Sequence, residues 1–140
     1  MKVLIAEDDR DSRDLLSWLL LKLGYEVVAV ENGEEAWKAF RHEKFRVVIS
    51  DLLMPDMDGL ELCRRIRGAK LQHYTYIIIL TALIGKKDYL EGMEAGADDF
   101  VTKPFDPDEL KARLKVAERI VAIEDPALLR ASLSKVSSSL

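Results

Sequence analysis

Five short runs of apolar, often β-branched residues recur along this chain, at residues 3–6, 27–30, 47–49, 76–80 and 100–102. A strand with one wet face alternates apolar and polar residues. A strand covered on both faces reads as a continuous apolar run, as Ile77-Ile78-Ile79 does. Stretches of helical period separate the runs. Residues 13–23 place Leu15, Leu16, Leu19, Leu20 and Leu23 on one face, and residues 34–42 offer Ala36, Trp37, Ala39 and Phe40. Residues 60–67 carry a weaker period through Leu60, Cys63 or Arg64, and Arg67, and residues 87–95 form a short helix. Gly24 and Gly96 stop the first and fourth helices. Asn32-Gly33 reads as a turn and Pro55 and Gly59 as loop punctuation. Asp106-Pro107, a cap followed by a first-turn proline, opens a long fifth helix. This alternation predicts an α/β fold, a doubly wound five-stranded parallel sheet with helices on both faces. In such sheets ligands bind beyond the carboxyl ends of the strands.

Length and composition narrow the choice further. The 140 residues suit one domain with a short appendage. An apolar fraction of 49% is enough for a core and excludes general disorder. No apolar run approaches the roughly 20 residues that span a bilayer, so no membrane association is expected, and residues 1–6 read as a strand rather than a signal peptide. The single cysteine, Cys63, forbids an intrachain disulfide and reads as a small helix packer. A cytoplasmic location is the expectation. A formal charge of −4 argues against direct nucleic-acid binding by the chain as a whole. No G-x-G-x-x-G or Walker loop is present, so no motif indicates nucleotide binding.

The ends of the runs carry the chemistry. Run one ends in Glu7-Asp8-Asp9, run three in Asp51, run four in Thr81 and run five in Lys103-Pro104. In the predicted fold these meet. Two carboxylates about 5 Å apart repel by roughly 3 kcal/mol at an effective dielectric of about 20. Lys103 offsets part of that, and oxygen-only ligands point to Mg²⁺ for the rest. A carboxylate beside Mg²⁺, an ammonium and a hydroxyl is suited to accepting a phosphoryl group. Asp9 reads as a solvated turn acid, Asp56 or Asp58 as the cap of the third helix, and His42 and His73 as surface residues.

Over residues 2–122 the sequence resembles the receiver domains of two-component response regulators. The resemblance rests on residues 3–9, on Ser50-Asp51-Leu52-Leu53-Met54-Pro55-Asp56-Met57-Asp58-Gly59, on Thr81-Ala82, on Gly96-Ala97-Asp98-Asp99-Phe100 and on Lys103-Pro104-Phe105. It implies a flavodoxin-like sheet in the order 2-1-3-4-5. It implies Asp51 as phosphoacceptor, Asp8 as a direct Mg²⁺ ligand, Glu7 as an acid holding the metal through water, and the Leu53 backbone carbonyl as a further ligand. It implies that Thr81 turns toward the phosphoryl group, that Lys103 pairs with it, that Pro104 follows a cis peptide bond, and that Phe100 is an aromatic switch following Thr81. The expected partners are a histidine kinase or phosphotransfer protein and an output domain or partner protein reached through residues 84–122. Weak self-phosphorylation and slow self-dephosphorylation are the only catalysis expected. Leu53 and Leu83, two residues after Asp51 and Thr81, are polar in many relatives; here they should hinder water and lengthen the phosphoryl lifetime. An aspartyl-phosphate phosphatase would need a second acid-base group and a cap domain. A phosphorylation-independent scaffold is the other alternative, against which the intact acidic set and Lys103 speak.

In the last helix Leu110, Leu114, Ala117 and Val121 form a core stripe. Val116, Ile120 and Ile123 form a second stripe about 120° away at about 100° per residue, which asks for another cover: a second subunit, the tail or an output domain. Beyond Asp125-Pro126, residues 123–140 carry Leu129, Leu133, Val136 and Leu140 at heptad-like spacing and read as a docking helix or linker.

Overall fold

The computed structural model describes residues 1–82 and 85–124. Five strands and five helices alternate: β1 (Lys2–Ala6), α1 (Arg10–Lys22), β2 (Glu26–Val30), α2 (Gly33–His42), β3 (Val47–Asp51), α3 (Gly59–Gly68), β4 (Tyr76–Thr81), α4 (Lys86–Ala95), β5 (Asp99–Thr102) and α5 (Pro107–Glu124). The strands pair in parallel in the order β2-β1-β3-β4-β5. The sequence expectation of fold and strand order is met.

Alternate strand residues feed opposite faces, as a period of two demands. Leu4, Val48, Ile77 and Ile79 pack with Ala36, Phe40, Leu60, Ile66 and Ala95 of α2, α3 and α4. Val3, Ile5, Val47, Ile49, Ile78 and Leu80 pack with Leu16, Leu19, Leu20, Leu110, Leu114 and Val121 of α1 and α5. The predicted core stripe of α5 is buried, whereas Ile120 and Ile123 of its second stripe are exposed, Ile123 by 75%. Edge strand β2 is only partly covered.

Local chemistry moves several boundaries away from the sequence reading. Asp9 is not a loose turn acid: its Oδ2 accepts from the Ser12 amide at 2.9 Å and caps α1, so the helix starts three residues earlier than its apolar period. Asn32 caps α2 in the same way through the Glu35 amide. Asp58 caps α3, as anticipated. Leu15 faces solvent together with Trp18 and Leu21, because the buried arc of α1 is centred on Leu16, Leu19 and Leu20. In α3 the core positions are Leu60, Leu62, Cys63 and Ile66. Arg67 instead clamps the start of β4. Its guanidinium donates to the carbonyls of Gly96 and Thr75, to the Tyr74 hydroxyl and to Asp98 Oδ2, the last at 2.8 Å. Asp98 also accepts from Tyr74 Oη and from the Ile77 amide.

Gly59 and Gly92 are among the glycines required by close approach rather than by flexibility. A Cβ on Gly59 would lie 2.3 Å from the Asp51 carbonyl oxygen, so this position lets α3 start against the end of β3. A Cβ on Gly92 would lie 2.0 Å from Cζ of Phe100, whose ring is buried against α4 and tilted against Tyr89. Leu83 and residues 125–140, with the tail pattern read from the sequence, lie outside the described residues. No helix among the described residues is long and apolar enough to cross a membrane.

Candidate functional site at the strand ends

Parallel strands place their carboxyl ends along one edge, so Glu7 after β1, Asp51 ending β3, Thr81 ending β4 and Lys103 after β5 share that edge. The chain geometry draws them closer. The Lys103 amide donates to the Thr81 carbonyl at 2.9 Å, after which a cis Lys103-Pro104 bond turns the backbone, as the resemblance implied. Arg13 on the first turns of α1 donates to the Glu7 carbonyl at 2.9 Å and holds the β1–α1 turn over the sheet.

At the centre lies one ammonium between two carboxylates. Lys103 Nζ donates to both Glu7 oxygens at 2.8 Å and to Asp51 Oδ2 at 3.1 Å. Glu7 is 1% exposed, and the Asp51 side chain is 11% exposed. Burial pushes the Glu7 carboxyl above its usual range, with the Asp51 charge adding to the push and Lys103 opposing it. Burial also works against the Lys103 ammonium, but its hydrogen bonds to Glu7 and Asp51 outweigh it and raise its pKa. Asp8 is exposed, and one oxygen from each of Glu7, Asp8 and Asp51 lies within 4.8 Å of the others.

Three carboxylates sharing one ammonium leave two negative charges uncompensated when all are ionised. That excess, an all-oxygen donor set and one exposed ligand open to solvent fit a small hard dication. Thr81 is 2% exposed on the same edge. Leu53 lies in the loop leaving Asp51, with its side chain 62% exposed. Phe100 lies on β5 beneath α4, three residues before Lys103. Of the candidates, Glu7, Asp8, Asp51 and Lys103 are brought into one cluster, with Thr81 tied to it through the backbone of Lys103. Sequence reasoning missed Arg13 and the role of Gly59. The Gly59 signal is present in the sequence, a glycine beside an Asp cap, but there it reads as loop punctuation.

The family model of the response regulator receiver domain matches residues 3–115. The chain belongs to this family. Membership supports a phosphorylation-dependent signalling role. This receiver domain is 38% identical, over 126 residues, to the alkaline phosphatase synthesis transcriptional regulatory protein PhoP of Bacillus subtilis, covering 90% of the chain and 52% of that protein. It is 44% identical over 118 residues to the probable transcriptional regulator ycf27 of Guillardia theta, covering 84% and 45%. The chain thus spans about half the length of the curated relatives it matches. Among solved structures, the chemotaxis response regulator CheY4 of Vibrio cholerae superposes with a TM-score of 0.78 at 34% identity, covering 83% of this chain and 97% of that one. A putative response regulator from Chloroflexus aurantiacus gives a TM-score of 0.77 at 36% identity, covering 83% and 95%.

Proposed function

We propose that this receiver domain accepts a phosphoryl group on Asp51 from a histidine kinase or phosphotransfer protein, and that the change alters the face formed by residues 84–122. The observation that carries the proposal is the Glu7–Lys103–Asp51 triplet, a buried acceptor carboxylate held beside an ammonium at a strand end. An Asp51 carboxylate oxygen attacks phosphorus. The P–N bond of a phosphohistidine breaks and its electron pair returns to the imidazole, leaving an acyl phosphate. Asp8 and Asp51 would hold Mg²⁺ directly, Glu7 through water, and the Leu53 carbonyl would complete the protein ligands. The ion supplies neutralisation of charge on the phosphoryl oxygens.

Lys103 is already tethered beside the acceptor, so it reaches a phosphoryl oxygen by releasing Asp51 while keeping Glu7. Thr81 Oγ1 donates to the same group. Its movement and that of Lys103 draw their loops inward, and Phe100 follows. The exposed Ile120 and Ile123, with the α4 surface, form the outlet toward an output partner or a second copy of the chain. Residues 1–122 act as the receiver unit, with residues 123–140 as tail or linker, in the cytoplasm. Intact mass after incubation with acetyl phosphate and Mg²⁺ tests the reading. One added phosphoryl group is expected on the wild type and none on Asp51→Asn. Equal labelling of that variant overturns Asp51 as the acceptor, and a wild type that takes no label favours the phosphorylation-independent scaffold.

A further inference from the structure

The edge of the sheet opposite the acidic site, where the strands begin, carries a cavity of about 320 Å³ between the α2–β3 and α3–β4 connections. Its volume is at the lower end of the roughly 300–1,000 Å³ range of ligand pockets. Four cations line it, Arg41, Lys44, Arg46 and Lys70, against one carboxylate, Glu43; Arg41 already stands over the Trp37 ring and Arg46 has a partner of its own, so Lys44 and Lys70 are the two open to a ligand. Even that acid is engaged from the side by Lys2, 3.6 Å away. The only two histidines of the chain, His42 and His73, line the same cavity. Such an excess is not inherited from composition, since the chain is net negative.

Cations at helix carboxyl ends offset the macrodipole, which accounts for Arg41 and His42 in the last turn of α2. That effect fades within the last turn, and Lys44, Arg46 and Lys70 lie beyond the ends of α2 and α3. Lys44 and Lys70 are exposed and make no ion pair among the described residues, so both are available to an anion. Leu71 adds an exposed apolar wall next to Lys70.

We infer that this cavity binds a small phosphorylated ligand, its phosphate oxygens held by Lys44 and Lys70 with Arg41 and Arg46 beside them and its organic part lying against Leu71. Paired cations around a concavity match clustered phosphate charge, and an apolar wall suits a ring or short chain. The inference is independent of phosphorylation at Asp51.

Amide-resolved NMR titration in EDTA, which keeps metal-borne phosphate away from the acidic site, tests it with inorganic triphosphate in one arm and ATP in the other. Saturable shifts confined to residues 41–46 and 69–75 are expected below about 10 mM. Tighter binding of ATP supports the contact of the organic part with Leu71; equal binding overturns that contact. The double variant Lys44→Glu/Lys70→Glu should weaken binding by about tenfold or more, while its response to beryllofluoride with Mg²⁺ at the acidic site stays intact and proves the fold. Linear, unsaturated shifts overturn the inference. So do shifts that extend equally to Lys86, Lys87, Lys111 and Lys115, or binding that survives the double charge reversal.

Discussion

Two clusters of partly buried charge sit at opposite ends of the same sheet, and they are built differently. Around Arg67 every strong group has a counterpart: one guanidinium meets one carboxylate, two carbonyls and a hydroxyl, and Asp98 is filled by a backbone amide as well. Around Lys103 one ammonium serves two carboxylates, with a third nearby. A saturated network fixes geometry and has nothing left to bind. An unsaturated one is held in place by the surrounding sheet and can gain contacts when charge arrives. One end of the fold is a clamp, the other a site.

The largest test of this contrast is Asp51→Asn. It should abolish phosphoryl acceptance, read by intact mass, yet leave the thermal midpoint unchanged or higher because a repulsive charge is removed. A fall in the midpoint would show the site to be a clamp after all. Arg67→Met should do the reverse. Both side chains of its ion pair are about one-fifth exposed, at 23% and 19%. Chemical denaturation should therefore show a loss of about 2–3 kcal/mol, below the roughly 3–5 kcal/mol typical of a fully buried pair. Labelling of the folded fraction should persist.

Mg²⁺ sharpens the comparison from the other side. At about ten times its dissociation constant it should add about 1.4 kcal/mol of stability to the wild type and much less to Asp8→Asn, followed by thermal denaturation with and without EDTA. The smallest effect is kinetic. Replacing exposed Leu53 with Asn should speed loss of the Asp51 phosphoryl group by about threefold or more, measured by mass after the phosphodonor is removed. An unchanged lifetime would remove Leu53 from the control of water access.

The sheet was legible because strands covered on both faces leave unbroken apolar runs, and the cores below β3 and β4 follow them residue for residue. Helix starts were harder to read. α1 begins where Asp9 can cap it, and capping is a hydrogen bond rather than a period. Leu15 misled because a leucine-rich helix offers more apolar residues than its buried arc can hold. At the site, the residue types and their places at the strand ends were visible in order along the chain. What was not visible was the division of labour: that Lys103 is bound more closely by Glu7 than by Asp51 depends on side-chain reach across three strands. The Arg67–Asp98–Tyr74 clamp escaped for the same reason. Its members are scattered over α3 and two connections, and the sequence shows Arg67 only as the last member of a weak helical period.

The notch at Gly92 has a mechanical consequence. Phe100 fills the volume that any other residue at that position would claim, so ring and helix fit as a peg fits a socket. Withdrawal of the ring would leave a void under α4 that the helix must either collapse into or leave for solvent. The orientation of one aromatic side chain and the seating of a ten-residue helix are therefore mechanically coupled: a ring that turned out of its socket would have to bring the helix after it or leave space beneath it.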